Sequence, residues 1–223
     1  MDICDNLQHV RSQIPSGVRL VCVSKFHPAE AIQAAYDCGE RFFGESRAQE
    51  LTAKHAALPA DIEWHFIGSL QTNKVKQVVP LATLIHSVDS EHLLATIDQC
   101  AANNNLIANI LLEIHIAQET TKHGFLPDEA RTFVAEQRWL QYPHTRLCGL
   151  MTMGTADASE TETRHEFHRM RSLFDELKTA CALPHFTELS MGMSHDFRIA
   201  IDEGSTIVRI GTAIFGERNY SPN

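Results

Sequence analysis

No apolar run in the 223 residues approaches the ~20 that a membrane span requires, so no membrane partner is expected. The N-terminus, Met1-Asp2-Ile3-Cys4-Asp5, lacks a basic stretch ahead of an apolar core, which argues against a secretory leader. Basic runs are missing too: 19 Lys and Arg stand against 28 Asp and Glu, a net charge of -9. An acidic surface repels phosphate backbones, so nucleic acid is an unfavourable partner. The six cysteines, Cys4, Cys22, Cys38, Cys100, Cys148 and Cys181, include no C-x-x-C pair. Several lie inside apolar runs, and buried free thiols in a reducing cytoplasm are expected. Nor is there a linker rich in Pro, Gly and Ser, so residues 1–223 read as a single domain.

Common catalytic signatures are also missing. There is no G-x-S-x-G and no G-x-G-x-x-G. Gly211 and Gly216 have P-loop spacing, but Glu217-Arg218 stands where Lys-Ser/Thr must hold the terminal phosphate and Mg²⁺. His165-Glu166-Phe167-His168 is one residue short of H-E-x-x-H, and with 13 histidines such pairs arise by chance. No metal site is expected.

What is present is alternation. Leu20 to Val23 is an uninterrupted apolar run, the pattern of a strand buried on both faces in a parallel sheet. Strands are expected at 18–25, 41–45, 64–68, 84–89, 109–116, 147–153, 188–192 and 206–211. Helical spacing lies between them: 28–39, 46–58, 73–79, 91–102, from Pro127, from Ser159 and at 194–203. A further amphipathic helix over 2–14 carries Ile3, Leu7, Val10 and Ile14. Ser159 and Glu162 have the spacing of a capping box. Eight strands alternating with helices make an α/β chain with the count of a closed (β/α)₈ TIM barrel carrying an extra N-terminal helix. An open doubly-wound sheet normally has fewer strands.

In such a barrel ligands sit at the carboxyl ends of the strands. Lys25 ends the first strand, where an amine walled by apolar neighbours tends to lose its proton and become a nucleophile. Ser194, after the seventh strand, is expected to cap the following helix and offer an anion site. Arg209 lies inside the apolar eighth strand and needs an acceptor, because it cannot shed its proton. Gly211 lets a ligand approach the backbone, with Thr212 beside it. An aldehyde for the lysine, a phosphate for Ser194 and the Gly211-Thr212 amides, and a ring nitrogen for Arg209 describe pyridoxal phosphate.

The motifs that carry a family likeness run in order along the chain. They are Val23-Ser24-Lys25, Phe43-Gly44-Glu45, His65-Phe66-Ile67-Gly68 with Leu70-Gln71 and Asn73-Lys74, and His86-Ser87-Val88-Asp89. Gly149-Leu150-Met151, Ser190-Met191-Gly192-Met193-Ser194 with Asp196, and Arg209 to Gly216 complete the set. Together they resemble the pyridoxal phosphate homeostasis protein family. The resemblance implies a barrel like the N-terminal domain of alanine racemase, with pyridoxal 5'-phosphate (PLP) held covalently as a Schiff base at Lys25. It implies that Ser194, Gly211 and Thr212 hold phosphate and that Arg209 faces the pyridine nitrogen. Ser46 replaces the family's usual asparagine near the ring, Ser69 a frequent proline, and His195 a frequent acid.

The family likeness further implies a cytoplasmic protein that carries or regulates PLP, supporting amino-acid and keto-acid balance without established catalysis. PLP-dependent apo-enzymes are its possible partners, and a monomer is expected. Two other readings are a PLP-dependent amino-acid racemase and a cofactor-free Schiff-base aldolase. A racemase needs a second base. The only tyrosines are Tyr36, Tyr142 and Tyr220, none well placed, and His195 is the best substitute. The added domain that supplies that base in alanine racemase has no counterpart in the few residues after Arg218.

Overall fold

The computed structural model describes residues 2–116 and 123–217. Arg19–Val23 forms strand β1, its Leu20, Val21 and Cys22 all buried, as the apolar run requires. The other strands are β2 (Phe42–Glu45), β3 (Glu63–Phe66), β4 (Leu84–Val88) and β5 (Ala108–Glu113). β6 (Thr145–Met151), β7 (Glu188–Ser190) and β8 (Ile207–Ile210) complete them. Each pairs in parallel with its sequence neighbour, and β8 returns to β1 through Arg19↔Ile207 and Val21↔Arg209, so the barrel is closed. The expected (β/α)₈ architecture is therefore correct.

Helices α1 (Ile3–Arg11), α2 (Ala29–Asp37), α3 (Ala48–Ala57), α4 (Val75–Val78) and α5 (Glu91–Asn103) lie in the first part of the chain. α6 (Pro127–Ala135), α7 (Glu160–Cys181), α8 (Phe197–Asp202) and α9 (Thr212–Phe215) follow. α1 is the extra N-terminal helix, tied to α9 by the Asn6 side-chain amide donating to the Ile214 carbonyl at 3.0 Å. The capping box at α7 is present: Ser159 accepts from the Glu162 N–H, and Glu162 accepts from the Ser159 N–H at 2.9 Å. Its buried face, including Phe167, Met170, Leu173 and Phe174, is the one the spacing predicts.

Two cores result from strand alternation. Outward positions such as Phe43, Trp64 and Phe66 pack under the helices. Inward positions Val21, Leu84, Leu111, Cys148, Met151 and Ile207 plug the barrel. The same alternation aims Val23 and Lys25, and Arg209 and Gly211, at the carboxyl-end mouth.

Several expected boundaries are too long. β1 stops at Val23, β3 at Phe66, β4 at Val88, β5 at Glu113 and β7 at Ser190. Beyond those residues the chain leaves the ladder to form the rim, which apolar character alone does not reveal. The helix expected over 73–79 is a 3-10 turn, Thr72–Lys74, followed by α4. The expectation of free thiols fails for two cysteines. α1 packs beside the end of α2, Cys4 and Cys38 come within 5.8 Å between Cα atoms, and they form a disulfide. Cys22, Cys100, Cys148 and Cys181 are buried and free.

Gly149 is the tightest point of the barrel. It faces Glu188 across β6 and β7 at φ +151°, and a Cβ there would lie 2.7 Å from the Glu188 carbonyl carbon. Gly149→Ala should cost about 3 kcal/mol, the upper range for overpacking. The check is the urea midpoint, which should fall with an unchanged slope; a midpoint like wild type would show that the two strands can part freely.

Candidate functional site

A cavity of about 280 Å³ opens at the carboxyl ends of the strands. Lys25, Ser194, Arg209, Gly211 and Thr212 line it, so the fold brings together five of the six residues picked out from the sequence. Its walls include Val23, Ile67, Met153 and Met193, and two histidines, His27 and His195, also reach it. The sixth residue, Ser46, is elsewhere: it follows β2 and lines a separate cavity of about 480 Å³ with Arg47, Gln71 and Lys74.

Arg209 is only 5% exposed, and its needs are met by neighbouring strands. Nη1 donates to the Ser190 carbonyl at 3.0 Å and to the Ser190 hydroxyl at 2.6 Å. Nη2 donates to the Thr152 carbonyl at 3.0 Å. A guanidinium has five N–H donors. Among the described residues three are used, and the Nε–H and one Nη2–H remain. Burial pushes the Arg209 pKa down to about 10, against the opposing pull of Asp196 and Glu113, so the side chain stays charged at neutral pH.

Lys25 stands two residues past β1 on a turn closed by the His27 N–H on the Ser24 carbonyl, 3.1 Å. A buried ionic cluster grips both sides of that turn. The Lys54 ammonium, from α3, donates to the Ser24 carbonyl at 2.9 Å, to Glu45 at 2.7 Å and to Glu50 at 2.9 Å. The Ser24 hydroxyl donates to Glu45 at 2.6 Å, and the Phe26 N–H donates to Glu50 at 2.8 Å. Phe26 is held at φ +68°, a left-handed conformation unusual for a bulky residue, with the Arg47 guanidinium 4.6 Å over its ring. His27 packs on Phe215 of α9 at 5.1 Å between ring centroids. Lys25 is thus mounted on a braced support.

Ser194 lines the cavity, but it does not cap the helix. α8 begins at Phe197, because Asp196 accepts the Met193 N–H and a turn over residues 193–196 precedes the helix. Sequence reasoning met Glu45 only inside a family motif, with no role, and passed over Glu50 and Lys54. Glu50 and Lys54 sit four apart on a helix, a pattern that reads as a surface pair. The available signal was Glu45 itself, a carboxylate ending an apolar strand.

Residues 2–219 match the family model of the alanine racemase N-terminal domain. The pyridoxal phosphate homeostasis protein of Aquifex aeolicus is 41% identical over 233 residues, spanning 99% of this chain and 100% of that one. Its counterpart in Schizosaccharomyces pombe is 36% identical over 95% of this chain and 91% of its own length. This chain belongs to the pyridoxal phosphate homeostasis protein family. The solved structure of PipY from Synechococcus elongatus without PLP has a TM-score of 0.91 at 38% identity, covering 96% of this chain and 100% of that one. PipY with PLP bound gives 0.88 at the same identity and coverage. Alanine racemase from Clostridium difficile, at 12% identity and a TM-score of 0.80, shares the fold across 99% of this chain and 58% of its own.

For this member of the homeostasis family the ionic cluster carries a pH signature. Burial raises the Glu45 carboxyl from 4.5 to about 7, more than Lys54 and Ser24 lower it. One of its oxygens, Oε2, has no partner among the described residues. The folded protein therefore holds a proton that the unfolded chain releases above 4.5. That stabilisation is full below the unfolded value and is lost as pH rises through about 7. Relative to Glu45→Gln, wild type should lose on the order of 3 kcal/mol of stability between about pH 4.5 and 8. Urea midpoints of both proteins across that range check it, and a pH-independent difference would rule out Glu45 as the titrating group.

Proposed function

We propose that this protein binds pyridoxal 5'-phosphate at Lys25 and carries or regulates it in the cytoplasm, as a monomer that supplies PLP-dependent apo-enzymes. The observation that carries the reading is the convergence of Lys25, Ser194, Arg209, Gly211 and Thr212 on one small cavity. The donor set fits the cofactor. An amine, a buried cation with two N–H groups left, and a hydroxyl-rich rim sit among apolar walls, in a volume just below that of drug-sized pockets, ~300 Å³ and upward. PipY, which shares the fold at 38% identity, was solved with PLP bound.

When bound, PLP supplies an aldehyde for an amine and a ring that can accept electrons. The chain's own residues do the rest. Lys25 provides the amine, held in place by the Ser24 and Phe26 contacts. Ser194, Thr212 and the amides at the start of α9 receive phosphate, since the first amides of a helical turn lack partners within it. Arg209 would offer its remaining N–H groups to the ring nitrogen, where its fixed charge would disfavour a proton and so weaken the ring as an electron sink. Ser46 receives no contact in this scheme. Among the described residues no helix is long and apolar enough to cross a membrane, and no His, Cys, Asp and Glu group could hold a metal.

Carriage rather than turnover is favoured by the want of a well-placed second base among the described residues. Tyr36 donates to Asp61 at 2.7 Å, away from the cavity, and Tyr142 precedes β6. Tyr220 lies outside the described residues. His27 and His195 both reach the cavity, but the His27 ring packs on Phe215, and His195 stands one residue past Ser194, at the phosphate end.

Borohydride reduction of the loaded protein followed by peptide mapping should find the pyridoxyl group on Lys25. Pyridoxal without its phosphate should require a far higher concentration. An adduct only on Lys74 or Lys122 would reject the site. Carriage has its own check in deuterated water, where the loaded protein should exchange no α-protons of alanine or serine and should hand cofactor to an apo-enzyme. Rapid exchange that His195→Ala abolishes, with cofactor still bound, would make the protein a racemase.

A further inference from the structure

Arg209 ends a longer hydrogen-bonded path. Ser190 on β7, His86 on β4 and His65 on β3 point into the barrel and are fully buried. The Ser190 hydroxyl lies 2.9 Å from His86 Nδ1, and His86 Nε2 lies 2.8 Å from His65 Nδ1. The path crosses the barrel from the Lys25 cavity to a second cavity of about 270 Å³, formed where the strands begin. His65 lines that cavity with Arg19, Arg146 and Glu188.

The arginine gives the path a direction. A guanidinium only donates, so the Ser190 hydroxyl accepts from Arg209 and its own hydrogen must go elsewhere. Its other contact among the described residues is His86 Nδ1. A buried hydroxyl hydrogen without an acceptor is costly, so His86 Nδ1 accepts. An accepting Nδ1 leaves the proton of a neutral ring on Nε2, and that N–H donates to His65 Nδ1. His65 in turn carries its proton on Nε2. Both rings are neutral: burial lowers His65 to about 3 and His86 well below its ordinary value, and the charges of Arg19 and Arg209 act the same way on His86.

We propose that Ser190, His86 and His65 are positioning residues for Arg209, a one-way donor chain that fixes the guanidinium and presents its remaining N–H pair to the acceptor atom of the cavity's ligand. A guanidinium rotated away would leave the Ser190 oxygen without its donor while that hydroxyl still faces His86, so the chain favours a single orientation. That the acceptor is the ring nitrogen of PLP rests on the proposed function; the direction of the chain does not.

The experiment has two arms, one free of cofactor. With histidine ring nitrogens labelled in wild-type protein, long-range proton–nitrogen correlation should report His65 and His86 as neutral Nε2–H tautomers from about pH 5.5 to 8.5. A proton on His86 Nδ1, or a charged ring in that range, would overturn the proposal. The second arm compares PLP binding by wild type, His86→Leu and His86→Asn, the last of which keeps an acceptor near the Nδ1 position. His86→Leu should shift the visible band of the bound cofactor and weaken affinity about tenfold, the scale of one hydrogen bond to a charged group. His86→Asn should restore most of both. A folded His86→Leu with the wild-type band and affinity would equally overturn the proposal. Failure of wild type to take up PLP defeats the proposed function instead, and the tautomers then decide the chain alone.

Discussion

One buried cation organises the ligand-binding end of this barrel. Arg209 sits at an inward position of β8 because strand alternation leaves it nowhere else to point. Burial there strips most of its water, and the side chain cannot respond by losing its proton at neutral pH. It must therefore find oxygen acceptors within reach. The Ser190 and Thr152 carbonyls supply them, which binds the exits of β7 and β6 to the body of β8. Three strand ends acquire a common geometry from one side chain, and the cavity wall between Met153 and Met193 follows from it.

The second charged group near the site meets the same demand differently. Lys54 is buried and has three oxygens at 2.7 to 2.9 Å, two of them carboxylates. Those partners make it a clasp on the turn that carries Lys25. Lys25 in turn lines the cavity with Val23, Ile67 and Met153.

The strand count and Lys25 were legible because parallel strands bury both faces and read as apolar runs, against which one terminal lysine is conspicuous. Arg209 was legible for the same reason. Strand ends were not, since the rim residues Ser24, Ile67 and Met191 are as apolar or small as the ladder they leave. Ser194 was misread as a cap because the amides such a cap would serve, those of Asp196 and Phe197, donate instead to the Met193 carbonyl. The Cys4–Cys38 pair joins residues 34 apart, beyond any local pattern. His65 and His86 fell within recognisable motifs, yet only the barrel shows that they touch.

The polar path through the centre is not needed to fill space. Leu84, Leu111 and Met151 plug the barrel beside it, and apolar side chains at the histidine positions would have avoided the cost of taking imidazoles out of water. Replacing buried polar groups by packed apolar ones is often neutral or stabilising. The path is tolerated because each member has a partner: guanidinium to hydroxyl, hydroxyl to ring, ring to ring. Remove Arg209 and the rest loses its reason, since two neutral histidines and a serine could settle in either direction. Keep Arg209, and the direction of every proton down to His65 is set. The barrel thus pays a local desolvation cost at its axis for a guanidinium with one orientation, which both ties the ends of β6 and β7 to β8 and faces the cavity.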